Sequence, residues 1–201
     1  MTEVQGGLRE RKKARTRASI REHALRLFRE QTYQRTTVEQ IAAAAEVSPS
    51  TFFRYFPTKE DIVLRDDMDT RMIEALERQP TSLGPLSAVR AAIREMFTSY
   101  TQADLDLLGE TTALTMTVPE VRARAMDEFA RTISVVGEAL AKRAGRPADD
   151  LAVRTTAGAI IGVIMSITMP WEGWASDRRT IEDMFERIDR ALALLEAGLP
   201  L

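Results

Sequence analysis

The stretch VSPSTFFRYFPTKEDI, residues 47–62, packs hydroxyls, rings and two cationic groups into one short span. Ser48, Ser50, Thr51 and Tyr55 supply groups that both donate and accept hydrogen bonds. Arg54 adds a planar fork of donors and Lys59 a compact charge. That chemistry recognises oxyanions and hydrogen-bonding edges; it does not break bonds. Upstream, RERKKARTR (residues 9–17) sets six basic residues, Arg15 and Arg17 among them, against one acid. Such an arm adds salt-sensitive, sequence-independent affinity for a polyanion. No nucleophile–base–acid set accompanies these groups. There is no cysteine, His23 is the one histidine, and no Gly-rich phosphate loop or metal-ligand spacing occurs. An enzyme is therefore the class the sequence argues against, and neither metal nor cofactor is expected.

The positioning elements follow from local signals. Ile20, Ala24, Leu27 and Phe28 make one helical stripe, and Val38, Ile41, Ala42 and Ala45 make another. Thr37-Val38-Glu39-Gln40 reads as a capping box. Ser48-Pro49 is an N-cap followed by proline at the first helical position. Pro57 stops that helix, and Thr58 can cap a longer one running to about Arg78. Two short helices joined by Glu46-Val47-Ser48 have the layout of a helix–turn–helix. Phe52 and Phe56, at i and i+4, pack inward on Val38, Ile41 and Val47. Ser48, Pro49, Ser50 and Thr51 are left at the amino end, with Arg54 and Tyr55 on the outer face. An amino end bearing free amides and hydroxyls suits a major groove.

Further breaks at 84–85, 118–119, 145–147 and 170–176 separate helices expected near 85–101, 104–116, 119–144, 149–169 and 177–197. The fold class is all-α, with about nine helices. Charge divides along the same line. Residues 1–65 hold 13 Lys/Arg against 8 Asp/Glu, whereas the remainder is acidic enough to bring the chain to a net −2. A basic part that meets a polyanion and an acidic part that does not is the expected division. The basic N-terminus has no apolar run behind it, which with the missing cysteines suits a cytoplasmic location. The uncharged stretch TTAGAIIGVIMSITMPW, after Arg154, is at the lower length limit for a membrane span. Its hydroxyls and terminal proline favour a helix buried in a helical body or a dimer, so no membrane partner is expected.

The run TVEQIAAAAEVSPSTFFRYFPTKEDIV, preceded by the amphipathic helix from about Arg15 to Gln31, resembles the TetR family of bacterial transcriptional regulators. Thr37, Ile41-Ala42, Ala45, Val47-Ser48, Thr51, Tyr55-Phe56 and Lys59 match the family pattern in order and spacing. The resemblance implies a homodimer on double-stranded operator DNA. A DNA-binding domain would span 1–57, and a helical domain for effector binding and dimerisation 58–201. It also implies phosphate contacts from Thr37, Thr51, Tyr55 and Lys59, with Ser48, Pro49, Ser50 and Arg54 near base edges. Two positions depart from the pattern. Glu46 replaces the usual Gly of the turn, so the turn either avoids a positive φ or bears its cost. Phe53 replaces the usual Tyr, which removes a phosphate contact and leaves its ring to the sugar or a neighbouring helix.

In the helical body, Ala157, Gly158, Ile161, Gly162 and Met165 give a face of small residues spaced by four. Ile181, Phe185, Ile188 and Leu192 give a complementary stripe. Together these are the expected dimer interface, a four-helix bundle. A mostly apolar pocket is expected from Phe97, Tyr100, Leu107, Glu110, Thr111, Leu114, Phe129, Ile133, Met165, Met169, Trp171 and Trp174. Residues 118–174 also look like the C-terminal domain of a mostly actinobacterial subset, through Pro119-Glu120-Val121-Arg122-Ala123-Arg124, Arg143-Ala144-Gly145, the Pro147–Leu151 turn and Trp171. That subset is associated with acyl-CoA-like effectors. The expected function is a repressor released from its operator by a mainly apolar small molecule; an effector-independent regulator or an activator is the alternative.

Overall fold

The computed structural model describes residues 3–64, 67–169 and 180–200. Among them are nine α-helices and one 3-10 turn, and no strand. The chain divides into two compact units, Met1–Arg65 and Asp66–Leu201. This break lies beyond the expected 57/58 boundary for a physical reason. Arg21 donates from Nε to the Ile62 carbonyl and from Nη2 to the Leu64 carbonyl, each at 2.9 Å. Ile62 and Val63 are buried, so the strip after Pro57 belongs to the first unit.

That unit holds α1 (Glu3–Gln31), α2 (Val38–Ala44) and α3 (Pro49–Tyr55). α1 starts well before the expected Arg15, since nothing between Glu3 and Arg15 except two glycines opposes helix. Its inner stripe is Ile20, Ala24, Leu25 and Phe28, all buried. α2 opens on the expected capping box: Thr37 Oγ1 accepts from the Gln40 amide and Gln40 Oε1 accepts from the Thr37 amide. Ser48 caps α3 through the Thr51 amide. Phe52 and Phe56 are fully buried and hold α3 down.

The long helix expected from Thr58 is instead a 3-10 turn over Glu60–Ile62, with α4 (Asp67–Arg78) following. Thr58 is nonetheless a cap: its amide and hydroxyl both donate to Asp61 Oδ2, at 2.9 and 3.0 Å.

The second unit contains α4, α5 (Pro85–Ser99), α6 (Gln102–Thr117), α7 (Pro119–Ala144), α8 (Leu151–Thr168) and α9 (Ile181–Glu196). α7 lies along α8, and α5 lies between α4 and α9. The α7–α8 approach is close because small residues face each other. A Cβ built on Gly137 would sit 3.7 Å from that of Ala157. The core runs through Leu76, Val89, Ile93, Val136, Leu140, Ile160, Ile161, Ile188 and Leu192. Arg90 of α5 bridges to α9, reaching both oxygens of Asp189 and one of Glu196 at 2.9–3.1 Å.

This core changes the expected interface. Ala157, Ile161, Ile188 and Leu192 are buried within their own chain, so they cannot meet a second copy. Phe185 also turns inward, its ring 4.5 Å from that of Phe97. What α8 leaves exposed is Leu151, Ala152, Arg154, Thr155, Gly162 and Ser166, with Gly158 half-buried among them; nothing lies within 4 Å of a Cβ built on either glycine. α8 carries one charge, Arg154, and its apolar residues lie on every side of the helix. Periodicity alone therefore merged its inner and outer stripes into one face.

Candidate nucleic-acid interface and effector cleft

α3 displays its residues in two layers. Ser48, Pro49, Ser50, Phe53 and Arg54 are exposed, while Thr51 and Tyr55 are half-buried. The hydroxyls are pre-aligned: Ser48 Oγ lies 2.9 Å from Ser50 Oγ and donates to Thr51 Oγ1 at 3.0 Å. Arg54 lies over the ring of Tyr55, 5.4 Å from its centroid. Thr37, at the start of α2, is exposed beside this set. The turn before α3 takes a positive φ: Glu46 has φ 55°. The strain that a glycine would have avoided is borne by this residue.

The basic arm is tied to α3 from behind. Arg17 donates from Nη1 to the Tyr55 carbonyl at 3.0 Å, and its guanidinium lies 4.5 Å from the centre of the Phe56 ring. This occupies one of the carbonyls left open where α3 ends. Arg15 is exposed on α1.

Lys59 differs from its expected role. It precedes a 3-10 turn, and its Nζ donates to the carbonyls of Tyr33 (2.9 Å) and Thr36 (3.1 Å) while lying 3.9 Å from the Tyr33 ring centre. Tyr33, itself buried, donates its hydroxyl to Glu60 at 2.6 Å. Partial burial pushes the Glu60 carboxyl up, but the Tyr33 hydroxyl, a backbone amide and nearby Lys59 together hold it below its ordinary value. Lys59 thus fastens the segment between α1 and α2. Sequence spacing placed it at a helix start; the carbonyls it would find there were not visible in a linear pattern.

In the second unit, a cleft of about 720 Å³ opens between α6 and α9. Leu105, Met116, Ile167, Met169, Ile181 and Met184 form its apolar wall. Asp106, Glu110 and Glu182 bring carboxylates and Arg187 a guanidinium; Thr112, Thr117 and Thr180 add hydroxyls. Mid-helix Gly109 lines the cleft too, where a Cβ would make an ordinary contact 3.7 Å from Ile181 Cγ1. Of the expected pocket residues, Glu110 and Met169 line this cleft. Ile181 does too, although it was expected at the dimer face. Phe97, Tyr100, Phe129, Ile133 and Met165 pack within the body instead. Phe97 and Tyr100 close on Phe185, and Phe129, Ile133 and Met165 pack on the core cluster. Thr111 is buried, with its hydroxyl donated to the carbonyls of Leu107 and Leu108. Leu107 and Leu114 are half-buried away from the cleft lining. Trp171 and Trp174 lie outside the described residues. The cleft uses the other face of α6, where Leu105, Gly109, Ala113 and Met116 recur at helical spacing; a glycine in mid-helix was the available sign.

No group of three or more metal-ligating side chains occurs among the described residues. α8 is long and apolar enough to cross a membrane by length and composition. Its inner residues serve the core just described.

Comparison with known proteins agrees with this two-part build. Residues 20–65 match the model of bacterial regulatory proteins of the tetR family, and residues 83–200 match that of the MftR C-terminal domain. TcmR of Streptomyces glaucescens, an HTH-type transcriptional regulator, is 43% identical over 102 residues, which are 50% of this chain and 45% of TcmR. This chain thus matches less than half the length of that relative. MftR of Mycobacterium tuberculosis, a regulator ascribed to mycofactocin biosynthesis, is 25% identical over 192 residues, 94% of this chain and 93% of its own. Thermus thermophilus FadR, a repressor solved with lauroyl-CoA, superposes with a TM-score of 0.56 at 26% identity, covering 92% of this chain and 95% of FadR. A helix–turn–helix unit and a C-terminal domain matching more than half the residues lead to one conclusion: the chain belongs to the TetR family of DNA-binding transcriptional regulators.

Proposed function

We propose that this regulator is a homodimeric repressor released from its operator when a mainly apolar small molecule enters the α6–α9 cleft. Ser48, Pro49, Ser50 and Arg54 face base edges, with Thr37, Thr51 and Tyr55 taking phosphates and Arg15 and Arg17 adding charge from the arm. Lys59 acts behind them, holding the segment from which α2 starts. The dimer contact is the outward stripe of α8, Leu151, Thr155, Gly158 and Gly162, which is largely uncharged and lets helices approach closely. Two copies then present their α3 helices to successive major-groove faces roughly 34 Å apart.

The observation that carries the effector reading is the cleft itself: apolar walls, a few polar groups and a volume within the usual range for small ligands. The lauroyl-CoA bound by Thermus FadR makes acyl-CoA-like molecules the first class to try. Among the described residues that line the cleft, three carboxylates stand against one arginine, which disfavours phosphates there. For release, the effector has to bind the DNA-incompetent state more tightly than the competent one.

The test is fluorescence anisotropy of the full chain on labelled DNA from upstream of its own gene, with nonspecific competitor present. It is repeated with acyl-CoAs, free fatty acids and hydrophobic drugs. Tight binding undone by one of these classes is the expected result. Tight binding that no ligand moves overturns the effector part and leaves the DNA part standing.

A further inference from the structure

Among the described residues of the first unit, Phe53 is the large apolar side chain left in solvent, 50% exposed. It is not loose. Its ring stands edge-on to the fully buried Phe52, centroids 5.4 Å apart and planes at 88°. A right-angled aromatic pair of this kind is favoured, which biases the ring toward this setting before any partner arrives. It shares the outer face of α3 with Pro49, Ser50 and Arg54, all exposed.

A phenyl ring in that place has no hydroxyl for a phosphate. Where α3 meets DNA, its gain comes from losing water against something apolar. The major groove offers one such group, the C5 methyl of thymine. Sugar carbons lie outside the groove floor and are the same at every base.

We infer that Phe53 is a specificity-determining residue whose ring packs on the C5 methyl of a thymine in each operator half-site. This rests on the DNA-binding reading of α3. Charge brings the partner in: Arg54 beside the ring and the basic arm of α1 attract the polyanion. Phe53 then distinguishes thymine from the bases that lack the methyl, while Ser50 and Arg54 beside it handle polar edges.

The experiment starts by selecting a preferred duplex from a random library with the purified full chain. Each thymine of that duplex is then replaced, one at a time, by deoxyuridine, which removes only the methyl. Affinity is measured by anisotropy at fixed salt for the wild type, Phe53→Ala and Phe53→Tyr. The expected result is one thymine per half-site whose replacement weakens the wild type by about fourfold, the worth of one buried methyl. Phe53→Ala binds the thymine and uracil duplexes equally, and Phe53→Tyr, which keeps the ring, still discriminates.

A wild type indifferent to every uracil overturns the inference without reference to any variant. So does a uracil penalty that persists unchanged in Phe53→Ala. Equal weakening of Phe53→Ala on all sequences puts the ring against sugar and overturns it too. If the wild type selects no duplex and binds none above competitor, the DNA reading and this inference fall together, and that outcome appears before any variant is made. Circular dichroism of Phe53→Ala guards against a loss of fold.

Discussion

Glu46 holds φ at 55°, where an L side chain crowds its own carbonyl. The turn needs that conformation because the Val47 amide reaches back to the Ala42 carbonyl at 2.9 Å, closing α2. Glu46→Gly is accordingly expected to raise stability to chemical denaturation by about 1 kcal/mol, net of glycine's larger unfolded-state entropy, with DNA affinity unchanged. Lys59 poses the opposite case. Its ammonium satisfies two carbonyls that would otherwise lack these bonds. Lys59→Ala should lower stability by about 2 kcal/mol, as expected for bonds to a charged donor. Its salt slope on DNA should match the wild type within the error of the measurement; a slope flatter by about one unit would return Lys59 to the phosphate contacts. The sequence showed that both residues were unusual or important. It showed a missing glycine and a basic residue at a family position, but not what each touches, because carbonyl positions depend on how α1, α2 and the 3-10 turn meet.

Helices were the most legible level. Caps at Thr37 and Ser48 and prolines at 49, 85 and 119 fixed starts that the structure reproduces closely. Facing was harder. α8 has apolar residues on every side and few polar ones, so its inner stripe at Val153, Ala157, Ile160 and Ile161 was not separated from its outer one by hydropathy. A pair of substitutions separates the stripes. Gly162→Glu, at an exposed position with nothing near its added Cβ, should leave helix content intact and give monomers by light scattering. Ala157→Glu, buried against Gly137, should destabilise the fold itself by several kcal/mol, since it buries an unpaired charge. The α5–α9 contact carries a pH signature. Hydrogen bonding from Arg90 holds the Asp189 carboxyl below its ordinary value, against a smaller upward push from burial. A carboxyl depressed in the folded state adds stability above its unfolded value, about pH 4, and loses it as pH falls through the folded value. Arg90→Ala should therefore be less stable than the wild type at neutral pH. The gap should narrow in urea melts between about pH 5 and pH 3, and a gap that stays constant would remove Asp189 from the account.

Over the whole molecule, the change in charge sign and the break between the two compact units coincide at residue 65. The basic unit is built for a polyanion, and the acidic unit has no reason to compete for it. The break itself was expected at 57/58, whereas the charge asymmetry was readable before any helix was placed. The cleft was not, since it forms where α6 and α9 meet and neither helix shows it alone. α8 has its own consequence at this scale. Only 22% of its residues are buried within one chain, although its mean hydropathy is 1.6. If two copies share that surface, folding and pairing are one equilibrium, and thermal midpoints should rise with protein concentration. A midpoint that stays fixed over a hundredfold dilution would count against pairing through α8.

If that surface pairs two copies, it also sets how a cell perceives this regulator. Occupancy of a site that needs two copies varies with the square of the free chain count while monomers predominate. A twofold fall in synthesis, or uneven sharing of chains between daughter cells, would then open the controlled genes more sharply than a one-chain regulator allows. The exposed side of α8 would thus turn the number of chains into a threshold, with no effector involved.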